Sequence, residues 1–197
     1  MANVFPIDSL NARLRMHECG NGNYWFYHKD SFPGDPPLYY QTLINDAASY
    51  VEIWDPYFNI KHPNNDQHIF NSVANGLTIK ILTMKGLSSP GNYLVDVENA
   101  LKTVILPHKN VRFGFRVINK GDPFNQAGRF FHDRFLIIDQ LNVYLVGSSV
   151  SWHISSQSST GIYKISDYGT AQFIISLFNH YWTASSTHQI PIRYLHI

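Results

Sequence analysis

The chain has 197 residues, of which 44% are hydrophobic and 15% aromatic, and a formal net charge of +1. That length and composition suit one compact domain burying about two-thirds of its unfolded surface, and the scattered Gly and Pro exclude both disorder and a fibrous repeat. No apolar window approaches the roughly 20 residues needed to span a bilayer, because His, Asp, Arg or Lys interrupts each one within about ten positions. The single cysteine, Cys19, allows no internal disulfide, and MANVFPIDSL lacks a secretory signal, so a reducing cytoplasm is the expected compartment.

In chain order, residues 1–37 read as an irregular or short-stranded lead-in with turn signals in CGNGN and FPGDPP, and 38–197 as a single domain. YYQTLINDAAS (39–49) places Leu43, Ile44, Ala47 and Ala48 on one helical face, and YVEIWDPYF (50–58) follows as a strand broken at Asp55-Pro56. DQHIFNSVANG (66–76) is a short helix closed by Gly76, and LTIKILTM (77–84) a strand. In SPGNYLVDVENALKTVIL (89–106) an apolar stripe from Leu94 to Ile105 marks a packed amphipathic helix, while VRFGFRVI (111–118) alternates with the period of a strand. The loop GDPFNQAG (121–128) leads into a strand RFFHDRFLIID (129–139), a tight turn QLN and a second strand VYLVGSS (143–149). Ser-rich residues 148–160 are no core element; GIYKISD (161–167) is a further strand and TAQFIISLFNHYWTAS (170–185) a closing helix. Strands alternating with helices imply an α/β sandwich with a mixed, largely parallel sheet and a hairpin at 130–149.

Charge is uneven along this order. Residues 101–134 hold seven Lys or Arg against Asp122 and Asp133, a segment of +5 in a remainder of −4. A phosphate-bearing ligand asks for such a patch, and Arg112 and Arg116 are candidates to widen it. Trp54, Asp55 and Tyr57 close a central strand, at the rim where α/β sheets bind ligands; Asp55 and Tyr57 are candidates to line a site, and Trp54 is core. Neither His28-Lys29-Asp30 nor HPNNDQH, with His62, Asp66 and His68, has the spacing of a site or of tetrahedral metal ligation.

Within the apolar run FHDRFLIID, period two puts His132, Arg134, Leu136 and Ile138 on one face and Asp133, Phe135, Ile137 and Asp139 on the other. A histidine beside a cationic guanidinium is a poor core pair but suits an oxyanion held between them. Gly147, Ser148 and Ser149 end the neighbouring strand, where hydroxyls and backbone N–H groups can gather beside His132. His153 is the best in-chain candidate for a supplementary acid or base.

The run His132-Asp133-Arg134-FLII-Asp139, followed by Gly147-Ser148-Ser149-Val150, resembles the phospholipase D superfamily signature: His-x-Lys, four residues, Asp, then Gly-Ser-x-Asn one strand later. The resemblance extends over residues 38–185 and implies a phospholipase D-like α/β/α sandwich. It implies a metal-independent phosphodiesterase, most readily a nuclease, with no cofactor. There, His132 attacks phosphorus and forms a phosphohistidine, Arg134, Ser148 and Ser149 hold the phosphoryl oxygens, and Asp139 braces the loop. Because active members combine two motifs and this chain has one, the resemblance implies a homodimer pairing His132 of each protomer. The chain departs from the family pattern at three places: Arg134 stands for lysine, Val150 for asparagine, and Thr160 or Gly161 where an imidazole-orienting glutamate is expected, with Asp167 the next acid. A His-Asp-Arg motif also resembles a superfamily branch that binds phosphoinositide membranes without known hydrolysis. The alternative function is therefore a module that binds phosphate-bearing ligands, either nucleic acid or a membrane surface.

Overall fold

The computed structural model describes residues 17–19, 24–28, 36–58, 70, 73–84, 110–118, 132–147, 150, 159–183 and 193–196. In chain order these form β1 (His17–Cys19), β2 (Tyr24–His28), α1 (Pro36–Asn45), β3 (Tyr50–Trp54), β4 (Thr78–Met84) and β5 (Arg112–Ile118). There follow β6 (Phe135–Ile138), β7 (Asn142–Val146), β8 (Ser159–Lys164), α2 (Tyr168–Thr183) and β9 (Arg193–His196). The strands make one sheet in the order β1-β2-β8-β7-β6-β3-β4-β5-β9.

The sheet is mixed, as expected, but its parallel part is confined to β3, β4 and β5. All other neighbours run antiparallel, so the expectation of a largely parallel sheet is corrected. Two features account for the difference. The β6–β7 hairpin is inserted beside β3, and the chain ends contribute β1 and β2 at one edge and β9 at the other, each antiparallel to its neighbour.

Each helix covers one face of the sheet. Pro36 starts α1 with its φ already set for a helix. Spacing of i, i+3, i+4 and i+7 turns Tyr40, Leu43, Ile44 and Ala47 onto Val51, Ile53, Ile79, Ile81, Phe113, Phe115, Leu136 and Ile138. Ala48, expected on that face, is exposed at the helix exit. On the opposite face α2 buries Ala171, Ile174, Ile175, Phe178, Tyr181 and Trp182 against Trp54, Leu82, Ile118, Ile137 and Val143. Asp167 caps α2, its Oδ2 accepting the Thr170 N–H at 2.7 Å, so the helix starts at Tyr168, ahead of the expected Thr170. Strands β3 and β5 are buried on both faces apart from their first residues. In β3 this includes Glu52, whose Oε1 accepts from Lys80 Nζ at 2.8 Å and from Gln140 Nε2 at 3.0 Å.

The expected helices over 66–76 and 89–106, and the loop 121–128, lie wholly or mostly outside the described residues. Gly76, expected to close the first helix, does adopt the left-handed conformation that glycine tolerates (φ 82°), and its N–H donates to Asn110 O at 2.8 Å. The ladder of β6 starts at Phe135, not at 129. Residues 132–134 precede it, and among the described residues their backbone is tied where Val146 N–H donates to Arg134 O at 2.9 Å. Strand β8 begins at Ser159, within the Ser-rich stretch expected to be loop, and ends at Lys164. Val150, in the same stretch, is buried in the core.

Candidate active site

Strand β3 ends at Trp54, and the break at Asp55-Pro56 turns the chain across the sheet edge. The turn is held from within: Asp55 Oδ1 accepts the Tyr57 N–H at 2.9 Å, an Asx-turn, and Phe58 N–H donates to Asp55 O at 3.1 Å. The Asp55 carboxylate has no exposed surface, and its Oδ2 accepts the Val150 N–H at 2.8 Å. One aspartate thus fastens the end of β3 to the chain beyond β7.

Facing it is Arg134, whose Nε lies 3.8 Å from Asp55 Oδ1, an ion pair too long to be a hydrogen bond. Its Nη1 donates to Gly147 O at 3.4 Å, and its guanidinium lies over the Tyr57 ring, 5.0 Å from the centroid. Tyr57 also meets His132, edge to face at 6.0 Å and 79°, with Tyr57 Oη 3.4 Å from His132 Nε2. The side chain of Arg134 is 17% exposed, whereas His132 lies on the surface and Tyr57 is 46% exposed.

The expected sharing of one face by His132 and Arg134 is met. Leu136 and Ile138 lie in the α1-side core and Phe135 and Ile137 in the α2-side core, and the two polar side chains continue the first series to converge on Tyr57. What results is a row of carboxylate, guanidinium, phenol ring and imidazole at the C-terminal rim of β3. A partly open guanidinium beside an accessible imidazole can hold a tetrahedral oxyanion within reach of a ring nitrogen.

No family model matches the chain, and no curated protein does. Among solved structures, NucT from Helicobacter pylori aligns with a TM-score of 0.53 at 15% identity, over 81% of this chain and 94% of that one. Nuc from Salmonella typhimurium, a phospholipase D family member, aligns with a TM-score of 0.51 at 11% identity, over 88% and 97%. The fold is that of the phospholipase D superfamily. TrmBL2, an archaeal chromatin protein, gives 0.44 at 16% identity, over 84% of this chain; the chain spans 54% of its length.

Placed in this phospholipase D fold, the other expected site residues separate. Asp139 is at the opposite end of β6 from His132, where it braces the chain entering β3. Its Oδ2 accepts the Ala48 N–H at 2.8 Å, and its Oδ1 accepts those of Ser49 at 2.7 Å and Tyr50 at 2.9 Å. Partial burial disfavours its charge, but the three backbone donors outweigh that and hold its carboxyl below the ordinary aspartate value. Arg112, exposed at the start of β5, is level with Thr78 and Tyr50 and so lies at the Asp139 end of the sheet. Arg116 is buried in the row of Leu82 and Ile118, beneath α2. Neither arginine joins Arg134, so these three members of the basic segment do not form one patch. Ser148, Ser149 and His153 lie outside the described residues.

Sequence reasoning missed two backbone groups, the Gly147 carbonyl that receives Arg134 and the Val150 N–H that binds Asp55. Neither has a signal in the side chains, because every residue offers a main-chain carbonyl and every non-proline residue an N–H.

Proposed function

We propose that the protein is a phosphodiesterase of phospholipase D type that works without a metal, acts on nucleic acid and functions as a homodimer. The observation that carries this reading is the convergence of an exposed His132 and a partly buried Arg134 on Tyr57, at the rim of a phospholipase D fold. The guanidinium keeps donors to spare, since of its five N–H groups one, on Nη1, is hydrogen-bonded among the described residues. In this reading His132 Nε2 forms a bond to phosphorus as the P–O bond to the leaving group breaks. The leaving oxygen takes a proton from His132 of the partner. Water then attacks phosphorus, gives its proton to that second imidazole, and the N–P bond breaks. Arg134 offsets the charge on the equatorial oxygens throughout, and Ser148 and Ser149 are the expected hydroxyl donors beside it.

The test is cleavage of DNA, RNA or bis(p-nitrophenyl) phosphate in EDTA. Wild-type protein is expected to turn over, and His132→Ala to lose at least about 10³-fold with an unchanged far-UV CD spectrum. Cleavage that survives the substitution rejects the assignment.

A second reading, a binding module that recognises phosphate-bearing ligands on nucleic acid or membranes, has one observation in its favour. Arg134 is already engaged by Asp55, Gly147 O and the Tyr57 ring, which suits holding an anion more than following it through a reaction. It predicts salt-sensitive binding that Arg134→Ala removes, with no turnover of any substrate.

A further inference from the structure

We infer that Tyr57 is the positioning residue of this site, its phenol holding the His132 imidazole in the tautomer whose Nε2 carries no proton. The inference rests on the reading of His132 as nucleophile. A neutral imidazole attacks through the one ring nitrogen that bears a lone pair, and the ring's hydrogen bonds decide which nitrogen that is. Phospholipase D-like sites are expected to settle this with a glutamate beyond the serine loop. Here that region is β8, where Thr160 is buried and the Gly161 backbone lies against Gly147. No carboxylate stands there.

Among the described residues, the polar group that reaches the His132 ring is Tyr57 Oη, 3.4 Å from Nε2. A phenol O–H donating to Nε2 makes that nitrogen the acceptor and leaves the proton on Nδ1, which is the form competent to attack. Tyr57 is aimed by contacts that do not involve His132: its N–H is bound to Asp55 Oδ1, and one ring face carries the Arg134 guanidinium. The phenol is therefore directed by the same carboxylate and cation that complete the site. Its 46% exposure leaves an approach from solvent. An arriving phosphodiester would take the O–H onto a phosphoryl oxygen as Nε2 turns to phosphorus. The tyrosine keeps its proton, and the bonds made and broken are those of the histidine step alone.

The test separates tautomer from turnover. Long-range ¹H–¹⁵N spectra of protein labelled at histidine nitrogen, with the His132 signals assigned by their loss in His132→Gln, read the tautomer directly. Wild type is expected to show Nδ1–H, and Tyr57→Phe, which keeps the ring and its contact with Arg134, to move the population toward Nε2–H. With bis(p-nitrophenyl) phosphate in EDTA, Tyr57→Phe is expected to lower kcat about tenfold with KM within about twofold. Tyr57→Ala also raises KM, because Arg134 loses its platform. An Nε2–H ring in the wild type, or the same tautomer in Tyr57→Phe, overturns the inference. Absence of turnover combined with a tautomer that responds to Tyr57→Phe upholds the positioning role and removes the catalytic reading instead.

Discussion

At Asp55 a carboxylate without exposed surface balances a mostly covered cation while accepting hydrogen bonds from Tyr57 and Val150. Removing the charge leaves Arg134 without its counter-ion in a region where water screens poorly. Asp55→Asn is therefore expected to cost about 2 kcal/mol, less than a fully dry pair would, since the separation is 3.8 Å and the arginine is partly open. Urea unfolding monitored by CD measures this, and a cost below about 0.5 kcal/mol contradicts the assigned role. The sharing of a face by His132 and Arg134 was legible in sequence because side-chain alternation holds in extended backbone even before a ladder begins. Asp55 was legible only as a rim residue. Its pairing with Arg134 depends on β6 lying next to β3, a long-range choice that local periodicity does not encode.

The β6–β7 hairpin turns through Asp139 (φ 54°) and Gln140 (φ 53°), both left-handed, in the conformation that Asn-Gly usually supplies. Each non-glycine residue there costs roughly 1 kcal/mol. Here the side chains offset it, Asp139 binding the N–H groups of Ala48, Ser49 and Tyr50 at the entry to β3 and Gln140 binding buried Glu52. Because the Asp139 carboxyl is held below its ordinary value, its contribution is present above about pH 4 and is lost as pH falls through the lower folded-state value. Asp139→Asn is expected to flatten the acid limb of the stability-against-pH curve and to lower the melting temperature at neutral pH, both read by thermal melts between pH 2 and 7. At the other end of β7, a Cβ on Gly147 would stand 3.2 Å from Gly161 N and 3.3 Å from its O, backbone that cannot step aside. Gly147→Ala is expected to cost about 1–3 kcal/mol in urea unfolding and to displace the carbonyl that receives Arg134. Sequence placed Asp139 as the last strand residue on the face away from His132 and did not reveal its part in the turn, since a turn of two left-handed residues with no glycine has no ready signal.

Over the molecule as a whole, the α/β alternation and the two amphipathic faces were readable because apolar periodicity survives in α1, α2 and β3 to β5. The balance of parallel and antiparallel pairs was not, because hairpin insertion and the addition of β1, β2 and β9 follow from which edges the chain ends find. Linear charge was misleading for a similar reason: Arg112, Arg116 and Arg134, the described members of the basic segment, are dealt to different faces and ends by the pleat and the register. The proposed two-histidine reaction needs two chains, so light scattering after size exclusion is expected to give twice the 22.6 kDa chain mass. A strict monomer at micromolar concentration counts against turnover and in favour of the binding reading.

The seating of Arg134 bears on how such a chain can drift. A flat guanidinium can lie on an aromatic face, look toward a carboxylate and touch a carbonyl at the same moment, and a lysine's lone ammonium cannot do all three. A lysine at 134, as in the His-x-Lys signature that this run resembles, would strand the aspartate and bare the tyrosine together. Positions 55, 57 and 134 thus form one physical unit, and a substitution that looks conservative by charge would act as damage.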